Sequence, residues 1–219
     1  MCGRYTLHDA KAFAAAVDRL GIKAAEKIFR QRYNVAPTQT MPVVLRREDS
    51  PAPALELMEW GPRYLQWESE PQLSINARSE KATFTRFKYA VQRRRCLVPA
   101  NGFFEWDRST KPGTPYLFSV IDSPAFWIAG AWEETTDEFA EAFLVFTTEP
   151  NDLVGRIHDR MPAILDDAAA LAWLTPGELT AARIREICAT MPADRMTSIR
   201  VSQAVNNARN DTPECIQAA

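Results

Sequence analysis

Arg95-Cys96-Leu97-Val98-Pro99-Ala100-Asn101-Gly102-Phe103-Phe104-Glu105-Trp106 is the stretch that decides the fold. Cys96–Val98 and Phe103–Trp106 are short runs of branched and aromatic residues, and a proline- and glycine-bearing turn separates them. Such runs read as strands. The same signature recurs on both sides, at Met41–Arg47, Leu55–Trp60, Tyr116–Ile121, Phe126–Trp132 and Phe143–Thr147, with turns such as Lys111-Pro112-Gly113 between runs. Helical signals lie outside and between these runs. Asp9 is placed to cap a helix through Leu20 that Gly21 ends. Phe84, Phe87, Lys88 and Val91 fit a short helix running into Arg93–Arg95. Asp166 is placed to cap Ala168–Leu174, and Thr175-Pro176-Gly177-Glu178 reads as a capping box with proline at the first helical position. A last strand is expected at Ser198–Ser202, before a polar tail.

Strands in one block without regular alternation with helices indicate an α+β fold. The 15 prolines keep those strands short, as in a curved, barrel-like antiparallel sheet flanked by helices. Only Ser50-Pro51-Ala52-Pro53 resembles a linker, and it is too short to hold separate domains apart. One domain over residues 1–219 is expected.

A composition of 46% hydrophobic and 25% charged residues is that of an ordinary globular protein. No apolar run reaches the roughly 18 residues of a membrane span, and no signal-peptide pattern precedes the fold. A cytoplasmic protein without membrane contact is therefore expected. Four cysteines without a C-x-x-C spacing, and only two histidines, argue against a disulfide scaffold and against a metal site.

The net charge of −2 hides a strong asymmetry. Residues 1–47 hold nine Lys/Arg against three Asp/Glu, and residues 78–95 hold seven against Glu80 alone. Two basic blocks on an acidic body point to one positive face and a polyanionic partner.

Cys2 brings a chemistry that no internal cysteine has. Once Met1 is removed, an α-amine with a pKa of about 7.7–8.0 and a thiol of about 8.5 share one residue. The amine condenses with an aldehyde to an imine, and the thiolate closes a five-membered thiazolidine. On position alone, Cys2 reads equally as a small buried hydrophobe. Its company decides.

Five clusters carry polar residues: Cys2-Gly3-Arg4, Arg32–Pro37, Asn76-Ala77-Arg78-Ser79-Glu80, the 95–106 strand pair, and His158-Asp159-Arg160-Met161-Pro162. Singly, Glu105 reads as a solvent-facing strand residue, His158 as a loop histidine, Asn76 as a turn amide and the arginines as a solvated face. In this order and spacing they resemble the SRAP (SOS-response-associated peptidase) proteins, which include bacterial and eukaryotic abasic-site processing proteins. The resemblance runs from Met1 to the Val205-Asn206-Asn207 segment.

That resemblance implies a compact α+β domain around a curved antiparallel sheet. It also implies a partner, single-stranded DNA bearing abasic sites, including at junctions, and no cofactor. By motif, Cys2 is the nucleophile, Asn76 its positioning amide, Glu105 the acid/base carboxylate and His158 a second proton-transfer group. Arg4, Arg78, Arg86 and Arg160 are expected to contact phosphates. Trp67, Trp106 and the Asn34–Pro37 loop are expected to stack or wedge the DNA. The implied product is a thiazolidine DNA–protein cross-link that the protein also reverses, formed by a monomer that joins the nucleoid when engaged. Phe104 stands where family members often carry tyrosine, and Pro62 where an aliphatic is usual. Two other readings remain open at this point: a thiol peptidase that removes its own Met1 or acts on other peptides, and a plain nucleic-acid-binding module in which Cys2 is incidental. No recruitment motif for a replication partner is evident.

Overall fold

The seven strands expected in the central block are all present, as is the last one expected at Ser198–Ser202, found at Met196–Arg200, and they join short ones that carry too few residues to announce themselves. The computed structural model describes residues 2–23, 27–50, 52–66, 69–134 and 140–219. The N-terminal half holds β1 (Tyr5–Leu7), α1 (Ala10–Arg19), β2 (Arg32–Val35), β3 (Thr40–Leu45), β4 (Ala54–Trp60), β5 (Arg63–Gln66), β6 (Ser69–Leu73) and β7 (Asn76–Arg78). A 3₁₀ turn (Ser79–Phe84) leads to α2 (Lys88–Arg93), β8 (Arg95–Ala100), β9 (Gly102–Asp107), β10 (Thr114–Val120), β11 (Phe126–Glu133) and β12 (Ala142–Thr148). The last third holds β13 (Met161–Pro162), β14 (Ile164–Leu165), α3 (Asp167–Leu174), α4 (Ala181–Ile187) and β15 (Met196–Arg200). Two further 3₁₀ turns, Gln203–Asn206 and Pro213–Ile216, follow.

Five strands close a barrel in the order β4-β3-β8-β11-β12 and back to β4. The expected antiparallel sheet is antiparallel at four of these five seams. The closing seam is parallel, with Ala142 opposite Glu59 and Phe143 opposite Trp60. β12 also takes β7 in parallel register (Val145 opposite Asn76, Thr147 opposite Arg78) and β13 in antiparallel register. All seven of its residues are buried. A second sheet, ordered β15-β10-β9-β1-β2, packs beside the barrel. The two strands of the 95–106 stretch therefore do not pair with each other: β8 lies in the barrel and β9 in the second sheet.

Asn101 makes that corner. Its Oδ1 accepts from the backbone N–H of His8 (2.6 Å) and Asp9 (3.0 Å), and its own N–H donates to Thr6 (2.8 Å). Asp9 then caps α1 by accepting from Lys11 and Ala12, so one polar corner joins both sheets to the first helix.

The capping box expected at Thr175–Glu178 does not form. Gly177 sits at φ +114, outside helical space, and α4 starts only at Ala181, capped by Thr180. The reason is Arg95. Its guanidinium is buried and donates to five backbone carbonyls: Val91 (2.7 Å) and Gln92 (2.9 Å) in the last turn of α2, and Trp173 (2.5 Å), Thr175 (2.5 Å) and Gly177 (3.0 Å) at and beyond the end of α3. One cation thus answers the negative ends of two helices, and the loop wraps it instead of starting a helix. Burial pulls this guanidinium down to about 10, so it stays charged at neutral pH.

The helix expected near 84–91 is split. Ser79–Phe84 is a 3₁₀ turn and α2 begins at Lys88, so Phe84 faces solvent while Phe87 is buried. The polar tail is not loose either: Cys215 and Val205 are buried in a small cluster with Phe104, Leu117 and Val201.

Replacing Arg95 by methionine strands five carbonyls, and the cost is expected to be about 3 kcal/mol or more, a fall in melting temperature of about 10 °C for a chain of this size. Arg95→Lys keeps the charge but has only three donors, so it should recover less than half of that loss. A thermal melt of either variant that matches the parent would remove Arg95 from this role.

Candidate functional site

The site is built on β1, which is short but fully buried. Tyr5 lies opposite Phe103 on one side and opposite Val35 on the other, and its ring meets Trp60 edge-on at 5.3 Å. The ladder continues one residue upstream, where the Phe104 N–H donates to the Arg4 carbonyl (3.0 Å). Gly102 lets the other neighbour of β9, strand β10, pack closely against it. A Cβ there would lie 2.7 Å from Leu117 Cδ1 and 2.8 Å from the Phe118 carbonyl oxygen. Cys2 is thereby carried into the interior, 1% exposed, beside Glu105, 3% exposed.

Three of the expected catalytic residues meet here. The Asn76 amide donates to the Cys2 carbonyl at 2.7 Å, and the Cys2 thiol points to the Arg4 carbonyl at 3.6 Å. Burial, and then the Glu105 carboxylate, push the Cys2 thiol well above the usual thiol range. Burial also raises Glu105, to about 7. Glu105 Oε1 and Asn76 Oδ1 are buried with no hydrogen-bond partner among the described residues. Unsatisfied buried acceptors are costly, and here two of them stand around the same residue.

His158 joins the same electrostatic field. Burial lowers its pKa, and Asp159 and Arg108 act on both it and Glu105. His158 Nδ1 lies 3.0 Å from the Arg160 N–H, 3.2 Å from the Arg160 carbonyl oxygen and 3.1 Å from Asp159 Oδ1, so whether it donates or accepts follows the protonation state of the ring. β12 brings this loop to the Asn76 strand, since Thr147 faces both Arg78 of β7 and Pro162 of β13. A carboxyl near neutrality and a neutral imidazole are the groups that move protons at physiological pH. Beside Glu105 opens a groove of about 550 Å³ lined by Gly3, Arg4, Trp106, Arg108 and Lys111.

The residues expected to touch a nucleic acid divide into two groups. Arg78 and Arg86 are exposed, and Arg86 donates to Ser74 Oγ (3.1 Å). Arg4 and Trp106 line the groove, with the guanidinium 5.7 Å from the indole centroid. Pro37 is half-buried, next to Thr38 in the left-handed region at φ 70. Trp67 lies outside the described residues.

Asn34 and Arg160, by contrast, face inward. Asn34 is buried, its amide nitrogen donating to the carbonyls of Val205, Asn207 and Asn210 and its oxygen accepting from Arg4 (2.8 Å). Arg160 is buried too, forked onto both oxygens of Glu80 at 2.9 Å and onto the Thr147 carbonyl at 2.7 Å. Both side chains are thus buried and bonded within the chain, Asn34 to the 205–210 segment and Arg160 to Glu80 and Thr147.

Sequence reasoning missed what holds Arg4. The guanidinium donates to the Val205 carbonyl (2.9 Å) as well as to Asn34, and Trp106 Nε1 donates to Asn206 Oδ1 (2.6 Å). Asp211 accepts from the N–H groups of Tyr33 and Asn34 and pairs with Arg32 at 2.5 Å. An aspartate in a polar tail carries no local sign of this. Arg108 and Lys111 were equally silent, because a charged hairpin tip reads as a turn.

Known proteins agree with this architecture. A solved protein from Bacteroides thetaiotaomicron matches over the whole of both chains with a TM-score of 0.79 at 23% identity, which shows the fold. Abasic site processing protein YoqW of Bacillus subtilis is 32% identical over the full length of both chains. Abasic site processing protein HMCES of Xenopus tropicalis is 32% identical over 87% of this chain and 67% of its own. The model of the family described as SOS response associated peptidase (SRAP) matches residues 1–208. The chain belongs to the SRAP family.

Proposed function

We propose that this protein processes abasic sites in single-stranded DNA by capturing them covalently on Cys2, and that it also reverses the capture. The observation that carries the reading is the Asn76 amide on the Cys2 carbonyl at 2.7 Å, beside a buried carboxyl raised to about 7 whose Oε1 has no partner among the described residues. The relatives that are abasic site processing proteins support the same reading.

The steps follow from these groups. With Met1 removed, the neutral α-amine attacks the aldehyde carbon of the ring-opened sugar. A C–N bond forms, and protonated Glu105 gives its proton to the departing hydroxyl, which leaves as water. His158 serves the sugar oxygen in ring opening. The thiol then adds to the protonated imine that loss of water leaves: sulfur bonds to carbon, the thiol proton passes to the Glu105 carboxylate, and the C=N π pair returns to nitrogen, which keeps its own proton as a secondary amine. No electrons are gained or lost, so the same groups run the sequence backward. Asn76 holds the Cys2 carbonyl and with it the direction of the amine. Glu105 does both jobs because a carboxyl near pH 7 is present in both forms. Arg4, Arg78 and Arg86 contact phosphates on either side of the lesion without reading sequence.

The test is a uracil-containing single strand treated with uracil-DNA glycosylase and run on a denaturing gel. A heat-stable shifted band without borohydride is expected, and Cys2→Ala should abolish it. Intact mass should show a chain lacking its first methionine. Unshifted DNA together with cleavage of added peptides would favour the peptidase reading instead.

Glu105→Gln should slow release of the cross-link by about a hundredfold, the lower end of what a positioned acid/base contributes. Equal release rates for variant and parent would take Glu105 out of the mechanism.

Glu105 also has a thermodynamic signature. Below pH 4.5 both folded and unfolded chains hold its proton. Between 4.5 and about 7 only the folded chain does. Stability should therefore fall as pH rises across that window and level off above it, by up to about 3 kcal/mol for this group. Glu105→Gln does not titrate, so its melting temperature relative to the parent should climb from pH 4.5 to pH 8. A constant difference would mean that Glu105 ionises normally.

A further inference from the structure

Phe84 stands out on the surface. It is 81% exposed, whereas the next most exposed large apolar side chains among the described residues, Tyr89 and Ile121, reach 55%. Its own 3₁₀ turn buries Ser79 and Ala82 and is anchored at its far side by buried Phe87, so Phe84 projects while the backbone beneath it is fixed.

The surroundings are cationic. Arg78, Lys81, Lys88 and Arg93 are exposed and belong to no ion pair among the described residues. Arg86 is exposed between them, its guanidinium 5.4 Å from the Phe87 ring. The one carboxylate of the stretch, Glu80, is forked onto Arg160. On a chain of net charge −2, this is a local excess of positive charge around an uncovered aromatic ring. It begins two residues past Asn76, the side chain that holds Cys2.

We propose that Phe84 is a base-stacking platform for the single strand that flanks the captured sugar, with Lys81 and Lys88 neutralising the phosphates beside the stacked base. An aromatic face amid flexible cations suits this occupant. Every base offers a π-face to the ring, and the lysines follow the backbone without reading sequence. The inference rests on the abasic-site reading for the identity of the strand, and extends it from the lesion to the DNA beside it.

The test uses an undamaged, fluorescently labelled oligothymidylate, which carries no aldehyde, so binding is measured apart from capture. Phe84 lies outside the core, so Phe84→Ala should melt like the parent. By fluorescence anisotropy it should raise Kd about tenfold, as expected for one lost base stack, and leave the salt dependence of binding unchanged. Phe84→Trp should bind at least as tightly as the parent. The double variant Lys81→Ala/Lys88→Ala should lower the slope of log K against log salt by about 1.4, two phosphate contacts on a single strand.

Equal affinity of Phe84→Ala and the parent would overturn the proposal, as would a parent that does not bind undamaged DNA at all. Dimerisation of the parent that Phe84→Ala abolishes would assign the face to a second copy and overturn it too. The covalent reading is judged separately by the Cys2-dependent band. If that band fails while Phe84→Ala still weakens binding, the platform stands and the capture chemistry falls.

Discussion

The register of β1 between β9 and β2 is the constraint on which the rest depends. Strand side chains alternate between faces, so a slip of one residue would turn Cys2 away from Glu105 and Tyr5 away from Trp60. Three residues make too few ladder bonds to hold such a register alone. Burial of all three, the edge contact of Tyr5 with Trp60 and the Phe104–Arg4 bond hold it together. Gly102 contributes by the absence of a side chain, since any Cβ there would press on β10. Cys2 is thus positioned by packing several residues away from it.

A second theme runs through the molecule. Long-range order at the irregular places comes from side chains that capture backbone groups. Arg95 gathers carbonyls from the ends of α2 and α3, Asn101 takes two N–H groups at the corner between the sheets, and Asn34 donates to three carbonyls of the tail. Asn76 does the same to Cys2. Each would otherwise leave buried peptide groups without partners. The polar residues of the five clusters therefore include both kinds, those that could meet a substrate and those that tie loops.

That mixture explains what was legible. The seven strands were readable because branched and aromatic residues dominate them, and α1 and α3 because Asp9 and Asp166 are unambiguous caps. β1, β2 and β7 were not, since three or four residues carry no periodicity. The capping-box pattern at Thr175 obeyed every local rule and still failed, because a guanidinium 80 positions away bonds those carbonyls. In the site, Cys2, Asn76 and Glu105 were identified by motif and lie together. Asn34 and Arg160 were identified as well, but a motif records that a residue matters without recording which way it faces. The socket of Arg4 was invisible, because its walls come from opposite ends of the chain.

The bond from Arg4 to Val205 spans 201 positions. During synthesis Arg4 emerges from the ribosome 201 positions before the residue whose carbonyl it bonds. A nascent chain that has not reached Val205 therefore holds this guanidinium without that anchor, and the seating of Arg4 waits on chain growth as well as on local folding.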